Sequence, residues 1–343
     1  MTNKPNILIV YTGGTIGMVK DYKTKALKVF DFSQIVDKIP ELKQLDCHID
    51  SLSFEDLIDS SNMNTDYYVQ IAETIEANYE KYDGFVILTG SDTMSYISSA
   101  ISFMFENLQK PIIFTGSQLP IGDLRTDAKE NLITTIEIAA ARKNGKPIIS
   151  EVGLYFEYKL YRANRTTKIN AAQFEAFTSM NYPPLAESGV HLNFNEPLLH
   201  SQKDNAEKLV VRKKLDTNIA ILKLFPGITK NVVESILQIQ DLKGVVLETY
   251  GAGNALTQAW FLEVLKTSIQ NGIQIVNVTQ CLGGSVILGH YETSVAMKEI
   301  GIVNGKDITT ESAIAKLMYL LGENLGGKSF KRLFERSLRG EVS

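Results

Sequence analysis

The sequence contains few of the residues from which disulfide frameworks and metal centres are built. Its two cysteines, Cys47 and Cys281, lie far apart in a chain of 343 residues, so no disulfide framework is predicted and a reducing compartment fits. The four histidines include no His-x-x-His spacing, and the cysteines include no Cys-x-x-Cys spacing. The sequence therefore gives no support for a metal site.

Long apolar runs and a strong charge bias are also lacking. No apolar run reaches the roughly 18 residues that a membrane span needs, and the N-terminus shows no charged-then-apolar leader. The net charge is -4 and the basic residues are scattered, which gives no electrostatic reason to expect binding to nucleic acid or to an anionic membrane. We therefore expect a cytoplasmic globular protein.

The most informative stretch is residues 7–18, ILIVYTGGTIGM. Its continuous apolar run predicts a buried strand of a parallel sheet, and the paired glycines Gly13 and Gly14 allow a sharp turn. Thr15 then lies beyond the carboxyl end of the strand, where open α/β sheets bind ligands. The glycine spacing fits neither a dinucleotide fingerprint nor a P-loop, so no phosphate site is expected. A helix-capping role for Thr15 stays open at this point.

The same pattern of a strand followed by Thr-Gly occurs twice more. Strands predicted over residues 84–89 and 111–115 lead into Ser91-Asp92 and into Ser117. If the three strands are neighbours, these polar groups converge at one edge of the sheet. Asp59, Ser60 and Ser61 form a further polar cluster at a turn, where an ordinary turn or cap is the alternative.

Strands and helices alternate along most of the chain, which predicts an α/β fold in two domains. We expect a larger N-terminal domain over residues 1–195 with a doubly wound, mostly parallel sheet, a linker over 196–216, and a smaller α/β domain over 217–343. In the first domain, helices are predicted over residues 65–80 and 127–142 and a strand over 147–152. Residues 20–28 are polar and lysine-rich, and either a lid or an inert surface loop fits them.

A threonine hydroxyl is a weak nucleophile and needs a nearby base or proton relay. Ser91, Asp92 and Lys168 are candidates, because a carboxylate beside an ammonium in a cleft can pass a proton through a hydroxyl without histidine. The sequence alone leaves open that Lys168 is an ordinary surface lysine.

Several spaced motifs, in order along the whole chain, resemble those of the L-asparaginase family, in particular its cytoplasmic type I branch. They are TGGTIGM, LIDSSNM, DGFVILTGSDTM, GSQLP, LRTDA, YRANRTTK and YGAGN. The resemblance implies an amidohydrolase that converts asparagine to aspartate and ammonia without a metal or organic cofactor. It also implies an asparaginase-like two-domain fold and a homodimer or a dimer of dimers.

The resemblance assigns roles to residues that match the motifs. Thr15 matches the nucleophile that forms a β-aspartyl ester, and Ser91, Asp92 and Lys168 match the groups that activate it or the deacylating water. Asp59 and Ser60, with Asp92, match positions that hold the α-ammonium and α-carboxylate of the substrate, and backbone N–H groups near Gly90 and Ser91 match an oxyanion site. The remaining expected substrate contacts are Ser61, Gly14 and Ser117.

Two departures from the family pattern bear on activity. The second motif usually contains His-Gly-Thr, whereas this chain has Thr89-Gly90-Ser91. Ser91 keeps the hydroxyl but lacks the β-methyl group that restricts the rotamer. The family also places a tyrosine in the loop after the nucleophile, and Tyr22 is the only candidate nearby, although its spacing is short.

Type I members can bind asparagine as an effector in the C-terminal domain. Thr167, Asn254, Thr279 and Cys281 match positions around that pocket, but Glu248 stands where an arginine is expected. An arginine pairs with the carboxylate of the effector, and a glutamate repels it. We expect activation by asparagine to be absent or altered.

Three alternatives to the asparaginase hypothesis are considered. One is the amidohydrolase subunit of a tRNA-dependent amidotransferase, which we expect to begin with an additional N-terminal segment. Another is an amino-acid-binding sensor that has lost turnover, against which the joint presence of Thr15, Asp92 and Lys168 argues. Glutamine is also open as the substrate, because one methylene changes discrimination by only about 1 to 3 kcal/mol.

Overall fold

The computed structural model describes residues 4–20, 27–29, 39–200, 207–289 and 292–343. The chain divides into two compact units, Met1–Arg212 and Lys213–Ser343. This division falls within the segment 196–216 that the sequence predicts as a linker. Within the described ranges, no helix has the length and apolar character needed to cross a membrane.

In its described residues, the first unit combines a large sheet, three helices and several short hairpins. Its helices are α1 (Thr65–Asn78), α2 (Met94–Met104) and α3 (Ala128–Ala140). Its strands are β1 (Asn6–Tyr11), β2 (Met18–Lys20), β3 (Leu27–Val29), β4 (His48–Ser53), β5 (Gly84–Leu88), β6 (Phe105–Glu106), β7 (Ile112–Thr115), β8 (Arg142–Lys143), β9 (Lys146–Pro147), β10 (Val152–Phe156), β11 (Lys159–Arg162), β12 (Thr167–Lys168), β13 (Phe177–Thr178), β14 (Ala186–Ser188), β15 (Leu192–Phe194) and β16 (Val210–Val211). Short 3-10 turns cover Thr15–Gly17, Pro40–Gln44, Ser60–Asn62, Ala163–Arg165 and Glu196–Leu198.

Eight strands of this unit form one sheet in the order β15-β14-β11-β10-β7-β5-β1-β4. The five strands from β10 to β4 run parallel, and β11, β14 and β15 continue the sheet antiparallel. The central parallel strands are almost entirely buried, as their continuous apolar runs predict. The expected α/β fold with a large, mostly parallel sheet is confirmed.

The register of the parallel strands brings their carboxyl ends into one row. Tyr11, the last residue of β1, lies opposite Leu88 of β5 and Ser53 of β4. Leu88 in turn lies opposite Thr115, the last residue of β7. The three turns that follow β1, β5 and β7 therefore begin at the same edge of the sheet, as the repeated Thr-Gly pattern predicts.

The prediction of a strand over residues 147–152 is wrong. Pro147 belongs to the short β8–β9 hairpin, and the strand of the large sheet is Val152–Phe156. The cause is the Asn144-Gly145 pair, whose positive φ values of 55° and 78° build the tight two-residue turn that this dipeptide favours. The hairpin uses residues up to Pro147, so the strand of the large sheet begins later.

The turns after β1 and β5 are in direct backbone contact, and only glycine permits it. A Cβ atom built on Gly14, whose φ is 87°, would lie 2.4 Å from the backbone nitrogen of Gly90. A Cβ atom on Gly13 would lie 2.2 Å from the carbonyl oxygen of Ile58. The first turn is therefore packed between the Gly90 turn and the segment that carries Asp59.

Two further glycines bring the remaining turns close. A Cβ atom on Gly90 would lie 2.5 Å from the Oγ atom of Ser60, and one on Gly116 would lie 2.5 Å from the carbonyl oxygen of Thr89. The turns after β1, β5 and β7 and the Ser60–Asn62 turn thus form one close-packed cluster, which we call the glycine-packed edge.

The second unit is a smaller α/β structure around a four-stranded sheet, as expected. Its strands are β17 (Ile219–Lys223), β18 (Gly244–Thr249), β19 (Gln274–Thr279) and β20 (Val303–Asn304), all parallel and in that order. Its helices are α4 (Lys230–Leu237), α5 (Ala259–Gln270), α6 (Glu292–Glu299), α7 (Thr310–Gly322) and α8 (Gly327–Phe334). The core lies between the sheet and helices such as α5, whose Phe261 and Leu265 are fully buried.

We predict that Gly14→Ala destabilises the fold far more than Gly145→Ala does. Both glycines have positive φ, 87° and 78°, but nothing lies within 4 Å of a Cβ atom at Gly145. Gly145→Ala should therefore cost only the strain of the left-handed backbone, about 1 to 2 kcal/mol. Gly14→Ala adds a backbone clash and also strains a backbone conformation, φ 87° and ψ 169°, that is nearly restricted to glycine. A loss of about 4 kcal/mol or more is expected. Urea unfolding of the two variants measures the difference, and equal losses would contradict the role given to the contact.

Candidate active site

Thr15 begins the 3-10 turn Thr15–Gly17 directly after Gly14, and it is half-buried. The turn lies over Tyr11, whose hydroxyl donates a hydrogen bond of 3.2 Å to the carbonyl oxygen of Gly14. A Cβ atom on Gly17 would lie 2.1 Å from the Tyr11 ring. Burial raises the pKa of Tyr11 to about 12, so this phenol remains a neutral donor that supports the turn.

Ser91, Asp92 and Lys168 are brought together, as the sequence predicts. The Lys168 ammonium donates hydrogen bonds of 2.9 Å to Ser91 Oγ and 2.7 Å to Asp92 Oδ1. The lysine side chain is only 15% exposed, whereas that of Asp92 is 70% exposed. The surface-lysine alternative is therefore wrong, and Lys168 is a largely buried cation beside a solvated carboxylate.

Lys168 is held in place by the packing of the segment before it against α2. The Ala163–Arg165 turn contacts α2, and buried Thr166 shares a hydrogen bond of 3.0 Å with the hydroxyl of Ser95 in that helix. The same helix begins just after Ser91 and Asp92. One helix therefore positions both sides of the lysine contact.

Asp59 caps the short Ser60–Asn62 turn. Its Oδ1 atom accepts hydrogen bonds from the backbone N–H of Ser61 at 2.9 Å and from the Ser61 hydroxyl at 2.8 Å. These two bonds hold the pKa of Asp59 below its usual value, so the exposed carboxylate stays ionised. Ser60 is buried against Gly90, and its carbonyl oxygen accepts a bond of 2.9 Å from Thr93.

Ser117 uses its hydroxyl within its own turn. It is buried, and its Oγ donates a hydrogen bond of 2.6 Å to the carbonyl oxygen of Leu119. Its role as a substrate contact stays a prediction. Tyr22, the expected tyrosine of the following loop, lies outside the described residues.

The next residue, Gln118, was missed by the sequence analysis although it contacts the site. Its Oε1 atom lies 3.3 Å from Ser91 Oγ. Its backbone N–H donates a hydrogen bond of 2.8 Å to the buried carboxylate of Asp127. The same carboxylate accepts a hydrogen bond of 3.1 Å from the N–H of Leu119. Burial raises the pKa of Asp127 in spite of these donors. Asn131, also buried, donates 3.0 Å to the carbonyl oxygen before Ser117. These contacts join residues 8 to 15 positions apart. The GSQLP and LRTDA motifs contain Gln118 and Asp127, but a motif does not show which polar groups meet in the fold.

The residues expected around an effector pocket divide between the two units. Thr167 lies in the first unit, next to Lys168. In the second unit, Glu248 and Thr279 lie at the ends of adjacent strands, and the Thr279 hydroxyl donates 2.6 Å to the carbonyl oxygen of Gly251 and accepts 3.0 Å from the N–H of Cys281.

Glu248 is a buried carboxylate with two partners of its own. Its Oε1 accepts a hydrogen bond of 2.7 Å from the hydroxyl of Thr310, and its Oε2 lies 3.0 Å from the ammonium of Lys223. Asn254 closes the turn beyond the same strand through paired backbone bonds with Tyr250. Across the parts of the chain that the structure describes, no group of three or more His, Cys, Asp or Glu residues could hold a metal ion.

Comparisons with known proteins agree across nearly the whole chain. The family model for the N-terminal domain of asparaginase matches residues 6–200, and that for the glutaminase/asparaginase C-terminal domain matches residues 218–334. L-asparaginase 1 of Escherichia coli K12 is 39% identical over an alignment of 352 positions. The alignment covers 99% of this chain and 98% of that protein.

Two further comparisons extend the similarity. A 60 kDa lysophospholipase of Mus musculus is 40% identical over 98% of this chain, which spans 62% of that longer protein. The crystal structure of L-asparaginase I from Vibrio cholerae superposes with a TM-score of 0.90 at 38% identity, covering 99% of this chain and 100% of that one. Since two family models match most of the sequence and relatives align along nearly all of it, the chain belongs to the asparaginase family.

Proposed function

We propose that this protein is an L-asparaginase, which hydrolyses L-asparagine to L-aspartate and ammonia through an ester on Thr15. The observation that supports this best is the contact of the Lys168 ammonium with Ser91 and Asp92 at 2.9 and 2.7 Å. Ser91 stands one residue beyond the Gly14–Gly90 backbone contact, and Thr15 follows the same contact on the other turn. The relatives named L-asparaginase share the whole chain with it.

In the first half of the reaction, the Thr15 hydroxyl attacks the side-chain amide carbon of asparagine. The Lys168 ammonium gives a proton to the leaving nitrogen, Ser91 gives its proton to Lys168, and Thr15 gives its proton to Ser91. Ammonia departs as the C–N bond breaks. Backbone N–H groups at Gly90 and Ser91 stabilise the negative charge on the amide oxygen. The hydrogen bond of 2.7 Å to Asp92 holds the Lys168 side chain in place between steps.

In the second half, water attacks the β-aspartyl ester. Its proton returns through the same pair to the oxygen of Thr15, and aspartate is released. The Oδ2 atom of Asp59 binds the α-ammonium of the substrate, since both bonds from Ser61 use Oδ1. The exposed position of Asp59 and Asp92 on the same edge suits a small zwitterion.

We further propose that the protein acts in the cytoplasm as a homodimer or a dimer of dimers, with asparagine as its small-molecule substrate and without nucleic acid or membrane partners. Both cysteines are free thiols, which suits a reducing compartment. The net charge of -4 and the scattered basic residues give no electrostatic reason for binding to nucleic acid or to an anionic membrane.

Removal of the Thr15 hydroxyl tests its role as the nucleophile. Thr15→Ala should lower kcat for ammonia release from asparagine by on the order of 10⁴-fold or more, because removing the nucleophile of a covalent mechanism leaves only binding and electrostatics. Thr15→Ser, which keeps a hydroxyl, should retain measurable turnover. Ammonia release is measured against asparagine and glutamine over a range of concentrations. Wild-type protein that binds asparagine without releasing ammonia would instead support the sensor hypothesis.

The hydrogen bonds from Ser61 to Asp59 should affect the pH dependence of kcat/KM. Ser61→Ala removes one of the two hydrogen bonds that lower the pKa of Asp59, so this pKa should rise towards its ordinary value of about 4. The acid limb of kcat/KM for asparagine, plotted for each protein relative to its own value at pH 7 to 8, should therefore move to higher pH in Ser61→Ala. An unchanged acid limb would remove Asp59 from ammonium binding.

Glu248 should prevent activation of the enzyme by asparagine as an effector. Glu248 already pairs with Lys223 and Thr310, so its negative charge occupies the position where a pocket for asparagine needs an arginine. Ammonia release should depend hyperbolically on asparagine concentration. Sigmoidal curves that become hyperbolic in Glu248→Gln would contradict this prediction.

A further inference from the structure

We propose that Gln118 is a positioning residue that sets the direction of the Ser91 hydroxyl. The inference rests on the proposed function, since Ser91 is there part of the proton path. Ser91 Oγ has two neighbours in the described structure, the Lys168 ammonium at 2.9 Å and Gln118 Oε1 at 3.3 Å. What each neighbour can donate or accept determines where the hydroxyl proton points.

The orientation of the Gln118 amide follows from its second contact. Its Nε2 atom lies 2.9 Å from the backbone carbonyl oxygen of Gln173, and a carbonyl oxygen only accepts hydrogen bonds. The NH₂ group must therefore face Gln173, and the amide oxygen must face Ser91. Ser91 accordingly donates its proton to Gln118, while it accepts a hydrogen bond from Lys168, whose ammonium only donates.

This arrangement leaves the Ser91 oxygen with a lone pair for a third group. The hydroxyl proton points towards Gln118 and the Lys168 ammonium occupies one acceptor position. The remaining lone pair accepts a hydrogen bond from Thr15 or from the deacylating water. When Lys168 gives a proton to the leaving group, the Ser91 hydroxyl turns from Gln118 to the lysine nitrogen and takes up the new proton. Gln118 thus acts through Ser91 and has no need to touch the substrate.

The backbone of Gln118 is fixed independently of this contact. Its N–H is held by the buried Asp127, which also holds the N–H of Leu119. Asn131 holds the carbonyl oxygen of Gly116 and donates to Asp127 at 3.3 Å. The amide of Gln118 therefore projects from a rigid loop, which a positioning residue requires.

The chain has particular need of such a restraint, because position 91 is a serine. A threonine is confined to few χ1 rotamers by its β-methyl group, and serine is not. We infer that the hydrogen bond to Gln118 replaces the steric restraint. The effect of losing Gln118 should therefore depend on whether residue 91 carries the methyl group.

The test is a double-mutant cycle with Gln118→Met, which keeps the length of the side chain, and Ser91→Thr. In the Ser91 background, Gln118→Met should lower kcat for asparagine about 3- to 10-fold, the range for one lost hydrogen bond, with KM unchanged. In the Ser91→Thr background the same change should lower kcat less than about 2-fold. Equal factors in both backgrounds, no loss in kcat, or an effect confined to KM would each overturn the proposal.

A structural readout separates this proposal from the proposed reaction. Crystal structures of the four proteins should show one Ser91 rotamer in the wild type and more than one in Gln118→Met. In both Ser91→Thr proteins the introduced threonine should adopt a single rotamer. A single, unchanged Ser91 rotamer in Gln118→Met would overturn the positioning role even if the enzyme were inactive. If the wild type releases no ammonia but the rotamers of residue 91 are as expected, only the asparaginase proposal is contradicted. Unfolding midpoints in urea verify that each variant is folded.

Discussion

The site depends on the close approach of backbone segments at the carboxyl edge of the large sheet. Hydrogen-bond register aligns the ends of β1, β5 and β7, but register alone leaves neighbouring strands about 4.8 Å apart. At the glycine-packed edge, contacts that no Cβ atom would permit bring the turns together. Side chains on the residues after these glycines, Thr15 and Ser91, therefore leave the backbone from neighbouring points. The absence of Cβ atoms at these glycines therefore determines the geometry of the site.

Much of the fold and the principal residues of the site could be predicted from the sequence. The continuous apolar runs indicated the parallel strands, because strands covered on both faces need no alternation. The repeated Thr-Gly ending placed Ser91 and Asp92 at the edge beside Thr15. The family resemblance, now confirmed by comparison, singled out Lys168 among the lysines, but no local pattern could reveal its burial. Its role there stays a proposal, but its contact with both partners is observed.

The residues that the sequence did not reveal act through tertiary contacts. Gln118 lies 27 positions from Ser91, and Asp127 in a helix-capping position resembles any other N-terminal acid. Tyr11 reads as one more apolar residue of a buried strand, although its hydroxyl supports the Thr15 turn. The strand predicted near Pro147 is wrong for a different reason, because the Asn144-Gly145 turn places the residues up to Pro147 in a short hairpin. Periodicity identifies elements, but the partners of polar side chains depend on the packing.

The buried contact between Thr166 and Ser95 has a consequence for how the protein would lose activity on heating. It fastens the segment before Lys168 to the helix that follows Ser91 and Asp92. The cation and its partners are thus carried by one packed body of the molecule, and they do not depend on a peripheral loop to meet. The backbone segments that carry Lys168 and its partners therefore stay together until the core around α2 opens. Thermal inactivation and cooperative unfolding of this unit should therefore occur together.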